Sequence, residues 1–397
     1  MVSPSPQSTT ERLAGVLVLT ALVAGLVLMN SPFAAAYRYV HHAMVHLGIG
    51  ALISNEPVIF WINDGLMVFF FLLAGLEIKY ELAEGHLSTV KHALLPALCA
   101  AAGMVVPASI YGALTWGLPM ESRGWAIPTA TDVVLALSVL ALAGTRVPSA
   151  LRAFLMAIAI FDDIGAVAIV GLFYGKGFTL FPLLGAAAAA LILALLCKLA
   201  VTRVWPYAAV GLALWLFLLN AGVEAALAGV FIGLAVPLRK GPHMPLHKVA
   251  REIRPWVWFV VIPVFAFFNS GIGLASSTLE DVLAPQSLGI VLGLVLGKPL
   301  GILGIAAIAV KLGLGKLPGG LNWPQVCGAA LIAGIGFTMS LFVAALAFSN
   351  AAMLANAKLA ILVASIISAT TGLAVLHFRS GGSGDCAESP HAKAGRA

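Results

Sequence analysis

Two adjacent carboxylates, Asp162 and Asp163, lie in the middle of an apolar stretch that runs from Phe154 to Phe173. About 20 helical residues at ~1.5 Å rise cross the ~30 Å hydrocarbon core of a bilayer, so this stretch predicts a membrane helix with both acids near its centre. A carboxylate at that depth costs roughly 2.5 to 3.5 kcal/mol on insertion scales. The pair therefore indicates a function that needs negative charge inside the membrane.

Only a few other charged residues fall at membrane depth. Asp132 and Lys298 are predicted near the middle of apolar segments, as is Asp64, whereas Glu77 and Glu224 lie nearer to helix ends. A structural ion pair is an equally good explanation for Asp64 or Glu224 taken alone. The aspartates around Lys298 instead leave net negative charge, which favours a cation.

The two adjacent aspartates predict competition between a proton and a metal cation. Successive helical residues point ~100° apart, so one aspartate can pair with Lys298 while the other lines a wet cavity. Carboxylates are hard oxygen ligands that suit hard cations, and a protonated carboxylate pair cannot also bind one. Such competition is the minimum requirement for a cation/proton exchanger.

Two apolar segments contain residues that interrupt helices. Gly124–Ala143 contains Pro128, Thr131 and Asp132, and Cys327–Ala347 contains the run AGIGFTMS. Either segment alone is also consistent with a harmless kink or a small-residue packing face. Together, in two halves of one chain, they are typical of a transporter binding site built from broken helices.

Broken helices place partial charges at mid-membrane, positive at half-helix N-termini and negative at C-termini. Asp132 is positioned to offset the positive ends and Lys298 the negative ones. Both residues therefore have an electrostatic role that requires no contact with a transported ion.

Composition places the chain in the membrane. Of its 397 residues, 61% are hydrophobic and 10% are charged, and the net charge of +6 is spread over short loops, which argues against nucleic-acid binding. The four cysteines have no metal-ligand or disulfide spacing, so neither a metal centre nor a cofactor is predicted. No phosphate-binding loop is present, which argues against ATP as an energy source.

Apolar segments predict an all-α membrane protein of about twelve transmembrane helices. Residues 1–11 are expected to form a cytoplasmic tail, 12–378 one transmembrane domain, and 379–397 a disordered cytoplasmic tail. A cleaved signal peptide is disfavoured because the start has no basic region beyond Arg12. Within the loop at about 31–57, MVHLGIGALISNEP predicts a short hairpin. The segments are Leu13–Leu28, 59–80, 93–116, 125–144, 150–174, 178–199, 204–219, 222–237, 256–274, 286–310, 326–349 and 356–377.

Loop charge gives the orientation. With a cytoplasmic N-terminus, 17 of the 22 basic residues fall on the cytoplasmic side, and Lys298 lies inside a helix. Both termini are therefore predicted to be cytoplasmic. The opposite side receives only four basic residues, Arg38, Arg123, Lys176 and Lys358.

These motifs resemble those of the NhaA-type sodium/proton antiporters over nearly the whole chain, from about Arg12 to Arg379. The resemblance implies export of Na⁺ or Li⁺ in exchange for more than one proton. It implies a fold in which helices 3 to 5 and helices 10 to 12 form inverted repeats, with two discontinuous helices that cross. It also implies a homodimer formed through the hairpin after helix 1. The motifs are WINDGLMVFFFLLAGLEIKYEL (Trp61–Leu82), GWAIPTATDVVLALSVLAL (Gly124–Leu142), FLMAIAIFDDIGAVAI (Phe154–Ile169), GKPLGI (Gly297–Ile302) and GIGFTMSLF (Gly334–Phe342).

The resemblance also implies roles for individual residues. Asp162 and Asp163 match the ion- and proton-binding pair, Lys298 the lysine bonded to Asp162, and Asp132 the acid that compensates the broken helices. The residues near the ion path are Thr131, Asp64 and Thr338, and those of the pH response are Glu77, Glu81, Glu224 and Glu252.

The pH-response region departs from the family pattern. Family members often carry a histidine where Glu224 stands, and Arg251 and Arg254 occupy positions where histidines are expected. The resemblance thus implies an altered pH dependence together with an intact transport site.

Two other classes of membrane protein remain as alternatives. An intramembrane aspartyl protease also needs two aspartates, but normally from different helices, and no Gly-x-Gly-Asp signature is present. A cation channel would conduct sodium without proton coupling, which the paired acids disfavour.

Overall fold

The computed structural model describes residues 6–49, 52–85, 88–144, 147–175, 179–238, 244–273, 279–313 and 317–379. Ten helices in these ranges are long and apolar enough to cross a membrane, and a bent pair brings the number to eleven. The ten are α1 (Pro6–Met29), α3 (Val58–Ala83), α4 (Val90–Leu114), α6 (Ser149–Phe173), α7 (Leu180–Lys198), α8 (Val204–Ala221), α10 (Pro245–Asn269), α12 (Pro285–Lys311), the pair α13 (Trp323–Ala333) and α14 (Phe337–Ala347), and α15 (Ala351–Arg379). The short helix α11 (Leu279–Leu283) precedes α12.

The bent pair is the first of the two predicted interruptions. A 3-10 helix, Glu121–Thr129, is followed by α5 (Val133–Leu142), and the two axes differ by 46°. The second interruption separates α13 from α14 at Gly334–Gly336. The predicted all-α membrane fold with two discontinuous helices is confirmed.

The predicted segment 222–237 is shorter than expected. Gly222 has a φ of 76° and ends α8, and the chain then forms α9 (Ala225–Ala235). Eleven residues at ~1.5 Å rise reach only about half of a bilayer core. The sequence predicts about twelve transmembrane helices. The described residues contain at most eleven helices that span the membrane fully, and α9 is a twelfth, shorter apolar helix.

The predicted hairpin after the first helix is confirmed. β1 (Met44–Ile49) and β2 (Leu52–Pro57) are antiparallel, with Met44 opposite Pro57. The short helix α2 (Ala34–His42) precedes them and packs through Tyr37, whose hydroxyl donates to the Phe267 carbonyl at 2.8 Å.

The first helix begins earlier than the sequence predicts. Residues 6–11, expected in a polar tail, belong to α1, and Glu11 is buried with its carboxylate 3.4 Å from the Arg152 guanidinium. The Arg12 guanidinium donates to the carbonyl of Ala141 at the end of α5. These long-range contacts hold the first turns in place. The predicted C-terminal tail lies outside the described residues, apart from Arg379 at the end of α15.

Lys358 is one of the four basic residues that the loop-charge pattern assigns to the side opposite the cytoplasm. In the structure it lies on α15 and is 8% exposed, so it is not a loop residue. An isolated lysine near the end of an apolar segment fits a loop or a helix equally well, because its long stem allows either depth.

Glycines let the site-bearing helices approach closely. A Cβ on Gly301 of α12 would lie 2.4 Å from the Ala102 carbonyl of α4, and one on Gly229 of α9 would lie 2.1 Å from the Val68 carbonyl of α3. Only glycine permits such backbone contact. Gly301 thereby fixes α12, and with it Lys298, against α4.

Candidate ion-binding site

Asp162 lies on α6 and is paired with Lys298 of α12. The Lys298 Nζ is 2.9 Å from Asp162 Oδ2, and neither side chain is exposed. The Thr131 hydroxyl also approaches Asp162 Oδ2, at 2.6 Å. Oδ1 of Asp162 is buried and has no hydrogen-bond partner in the described chain. One carboxylate oxygen is therefore fully committed while the other retains its acceptor capacity.

Lys298 also contacts the end of the 3-10 helix Glu121–Thr129. Its Nζ donates to the Thr129 carbonyl at 2.5 Å. Carbonyls at the end of a helix carry partial negative charge, which a buried ammonium offsets. Lys298 thus balances both Asp162 and the C-terminal end of a broken helix.

Asp132 caps two half-helices at once. Its Oδ1 accepts from the Leu135 backbone N–H of α5 at 2.9 Å, and its Oδ2 accepts from the Thr338 backbone N–H of α14 at 3.0 Å. The Thr338 hydroxyl donates to the same Oδ2 at 2.6 Å. One buried carboxylate therefore faces the positive ends of both helices that follow an interruption.

The two interruptions cross in contact with each other. The Asp132 N–H donates to the Ile335 carbonyl at 2.6 Å, and the Thr131 hydroxyl lies 2.9 Å from the Ala333 carbonyl. The Ser340 hydroxyl donates to the Ile127 carbonyl at 2.7 Å. These bonds satisfy backbone groups that the broken helices leave without partners. Sequence reasoning placed Ser340 in an interrupted segment but did not assign it to the site.

Asp163 points away from this crossing and into a cavity of ≈ 460 Å³. The cavity lies between α1, α3, α5, α6 and α10 and reaches the C-terminal end of α3, which the charge pattern predicts to be cytoplasmic. The different directions of Asp162 and Asp163 follow from their ~100° separation on one helix. Asp163 is thus the member of the pair that an ion can reach from this cavity.

Charged side chains also line the cavity. Glu11, Glu77 and Glu81 contribute carboxylates and Arg254 contributes a guanidinium. The Arg254 Nη2 is 3.0 Å from Glu77 Oε1, and its guanidinium lies 5.9 Å from the Trp258 ring centroid. The excess of carboxylates attracts cations toward Asp163. Sequence reasoning missed Glu11 and the pairing of Arg254, because nothing local indicates which loops and helix ends converge.

Three predicted residues lie outside this cluster. Asp64 is in a π turn of α3, where its backbone carbonyl accepts from the Trp215 indole N–H at 2.8 Å. Glu224 is buried at the start of α9, and Glu252 is exposed on α10. None of the three lines the Asp163 cavity. The residues brought together are Thr131, Asp132, Asp162, Lys298 and Thr338 at the crossing, with Asp163, Glu77 and Glu81 in the cavity.

Comparison with known proteins identifies the family of this chain. The family model "Na+/H+ antiporter 1" matches residues 7–376. The chain is 44% identical over 365 residues to a protein named Na(+)/H(+) antiporter NhaA from Shewanella sp. (strain ANA-3), covering 91% of this chain and 94% of that protein. It is 45% identical over 374 residues to the protein of the same name from Rhodospirillum rubrum, with 91% and 94% covered.

A solved structure shares the fold. It is that of the sodium proton antiporter MjNhaP1 from Methanocaldococcus jannaschii at pH 8, with a TM-score of 0.53 and 15% sequence identity, covering 93% of this chain and 92% of that one. At this identity the likeness concerns the fold alone. The matches of sequence over nearly the whole chain decide the family: the chain belongs to the Na⁺/H⁺ antiporter 1 family, whose members are transporters and not enzymes.

Proposed function

We propose that this protein is a secondary active antiporter that exports Na⁺ or Li⁺ in exchange for more than one proton, and that cation and protons compete for Asp162 and Asp163. The observation that carries the proposal is the buried carboxylate pair at the crossing, with one member bonded to Lys298 and the other open to an acidic cavity. The names of the relatives support the choice of sodium.

The proposed exchange follows from the two environments. Deprotonated Asp163 supplies hard oxygen ligands to a cation arriving through the cavity, and the unpartnered Oδ1 of Asp162 supplies another. Protonation of these carboxylates removes the ligands and releases the cation. With more than one proton admitted for each Na⁺ exported, net positive charge moves inward and the exchange is electrogenic.

The crossing supplies the mobile element of the proposed cycle. Short half-helices joined by side-chain contacts can reorient more easily than a continuous helix, because fewer backbone hydrogen bonds change. Asp132 and Lys298 keep the half-helix ends neutralised throughout. The Thr131 hydroxyl lies near both Asp162 and the Ala333 carbonyl at the second interruption, so its position responds to the charge of Asp162.

We propose that regulation by pH acts at the cavity and at the helix ends near it. Glu77 and Glu81 line the same cavity as Asp163, whereas Glu224 and Glu252 act from outside it. Arg254 forms an ion pair with Glu77 at a position where the family pattern predicts a histidine. His247 lies 3.9 Å from Glu84 near the same helix ends.

The proposed location is a bacterial inner membrane with both termini cytoplasmic, and the proposed assembly is a homodimer joined through the β1–β2 hairpin. Cytoplasmic loop charge supports the orientation, since moving Lys358 into a helix lowers only the opposite count. An antiparallel hairpin has exposed edges suited to pairing with a second copy. A monomeric mass in detergent, measured by light scattering, would reject the dimer.

The alternatives fit the geometry less well. A protease needs two aspartates that share one proton, whereas Asp162 is held by Lys298. A channel conducts without proton coupling, whereas the buried carboxylate pair supplies two groups that can bind protons.

The proposal is tested by collapse of ΔpH in everted membrane vesicles after addition of NaCl, LiCl or KCl. We expect Na⁺ and Li⁺ to dissipate the gradient in wild type and neither to do so in Asp163→Asn or Asp162→Asn. Glu280→Gln is the matched control, because Glu280 is exposed and does not line the cavity. Sodium-dependent proton flux that survives either aspartate substitution would reject the proposed site.

A further inference from the structure

Two serines on α15 depart from the usual behaviour of hydroxyls in membrane helices. Thr370 and Thr371 donate to carbonyls four residues earlier on the same helix, at 2.8 and 2.6 Å. Ser365 and Ser368 do not, although they are 7% and 0% exposed, and neither hydroxyl has a hydrogen-bond partner in the described chain. A buried hydroxyl without a partner costs free energy, so a ligand is required.

The two hydroxyls lie on one face of α15 and next to the second interruption. Residues three apart on a helix are neighbours, with Cβ atoms roughly 5–6 Å apart. A Cβ on Gly334 would lie 2.7 Å from Ser368 Oγ and 2.5 Å from the Leu294 carbonyl oxygen. Ser368 and Leu294 therefore face each other across the glycine that ends α13.

The Leu294 carbonyl has neither of the donors that a regular α- or π-helical turn would give it. It belongs to a π turn, Gly293–Gly297, in which the Lys298 N–H donates to the Gly293 carbonyl. The next residue, Pro299, has no N–H and so cannot donate to Leu294. A buried carbonyl and the Ser368 hydroxyl thus meet at Gly334, and the Ser365 hydroxyl lies one turn earlier on the same face of α15.

We propose that a water molecule binds at Gly334 between α12, α13 and α15, held by Ser365 Oγ, Ser368 Oγ and the Leu294 carbonyl. A buried water typically makes two to four hydrogen bonds, and these three groups supply that number with both donors and an acceptor.

The bound water positions the crossing. Leu294 lies four residues before Lys298, and Gly334 follows Ala333, whose carbonyl contacts Thr131. The water therefore joins α15 to the π turn before Lys298 and to the end of α13. Ser365 and Ser368 are positioning residues for the ion-binding site, and this part of the inference rests on the proposed antiport function.

Radiolytic footprinting of the purified full-length protein in H₂¹⁸O tests for the water directly. Hydroxyl radicals formed at a bound water label its neighbours with ¹⁸O. We expect labelling of Leu294 in wild type, none of Phe265, which is equally buried, and loss of the Leu294 label in Ser365→Ala/Ser368→Ala. Equal labelling of Leu294 and Phe265 in wild type, or an unchanged Leu294 label in the double variant, overturns the inference.

Sodium-driven exchange in proteoliposomes tests the positioning role. We expect Ser365→Ala/Ser368→Ala to lower the maximal rate several-fold with little change in the apparent KM for Na⁺, and Ser365→Ala alone to lower it less. Thr370→Ala, on the same helix but exposed and bonded to its own backbone, keeps the wild-type rate. Equal rates in the double variant and wild type overturn the positioning role, whereas absence of sodium-driven exchange in wild type would instead reject the proposed function.

Discussion

At the scale of single residues, the three aspartates of the site differ in the groups that they contact. Asp162 shares Oδ2 with Lys298 and Thr131, Asp132 accepts three hydrogen bonds from two half-helices, and Asp163 faces a cavity. Side chains of identical chemistry therefore act as partner of a lysine, cap of two helices and accessible ligand. Their functions differ because their surroundings differ.

The cap formed by Asp132 gives a prediction about stability. Asp132→Asn removes the negative charge and places an amide N–H₂ toward backbone N–H groups that need acceptors. Hydrogen bonds to charged groups are worth about 1.5–3 kcal/mol each, so we expect a large fall in thermal stability together with loss of exchange.

Ser340→Ala is the control for Asp132→Asn. It removes one neutral hydrogen bond to the Ile127 carbonyl, worth about 1 kcal/mol. Melting temperatures in detergent should rank wild type above Ser340→Ala and Ser340→Ala above Asp132→Asn. An Asp132→Asn protein as stable as wild type would contradict the double-cap interpretation.

The Arg254–Glu77 pair gives a prediction about pH. Arg254→His would place a group with an ordinary pKa of about 6.5 at the cavity mouth. We expect the exchange rate of this variant to change more steeply than that of wild type as the pH falls from about 8 to 6, because the histidine, unlike the arginine that it replaces, gains charge in that range.

Arg254→Lys preserves the charge and is the comparison for that experiment. Its pH profile of ΔpH collapse in vesicles should follow wild type. If the profiles of wild type, Arg254→His and Arg254→Lys coincide, the residue at this position does not set the pH dependence.

At the scale of elements, short segments act by joining longer ones. The helix α2 packs on the end of α10 through Tyr37, whose ring lies 5.5 Å from that of Phe267, and burial raises the pKa of Tyr37 to about 12. His41 of the same helix lies near Phe268, with ring centroids 6.3 Å apart. The amphipathic helix thereby connects α1 and the hairpin to the membrane domain.

His41 makes the docking of α2 sensitive to acid. Burial, followed by the charges of Lys358 and His42, lowers its pKa from 6.5 to about 4. Because the unfolded state binds the proton more tightly, protonation opposes folding. The contribution of neutral His41 to the free energy of unfolding is fully present above pH about 6.5 and is lost as the pH falls toward about 4.

Melting temperatures measured between pH 7 and 4.5 test the role of His41. We expect wild type to lose more stability over this range than His41→Gln, which cannot take up the proton. Parallel melting curves for the two proteins would show that His41 stays accessible to solvent and does not couple pH to docking.

At the scale of the whole molecule, the sequence predicts the features that depend on local composition and on residues that interrupt helices. Asp162, Asp163 and Lys298 are conspicuous because charge is rare in apolar segments, and Pro128, Gly334 and Gly336 indicate broken helices. The membrane fold, the hairpin and the meeting of these residues follow from such signals.

Contacts between distant segments could not be predicted in the same way. The bonds from residues 131 and 132 to residues 333 and 335 depend on how whole helices cross. Arg254 reaches Glu77, and Arg152 reaches Glu11, for the same reason. The short α9 was overestimated because an apolar run of sixteen residues fits a half-span as well as a full one.

Competition between Na⁺ and protons is the central claim, and calorimetry of Na⁺ binding tests it most directly. Titrating purified protein with NaCl in buffers of different ionisation enthalpy gives the number of protons released for each Na⁺ bound. We predict clear proton release by wild type at a pH where the site is partly protonated, and neither heat of binding nor release in Asp163→Asn. Sodium binding by wild type without proton release at any pH would contradict the account.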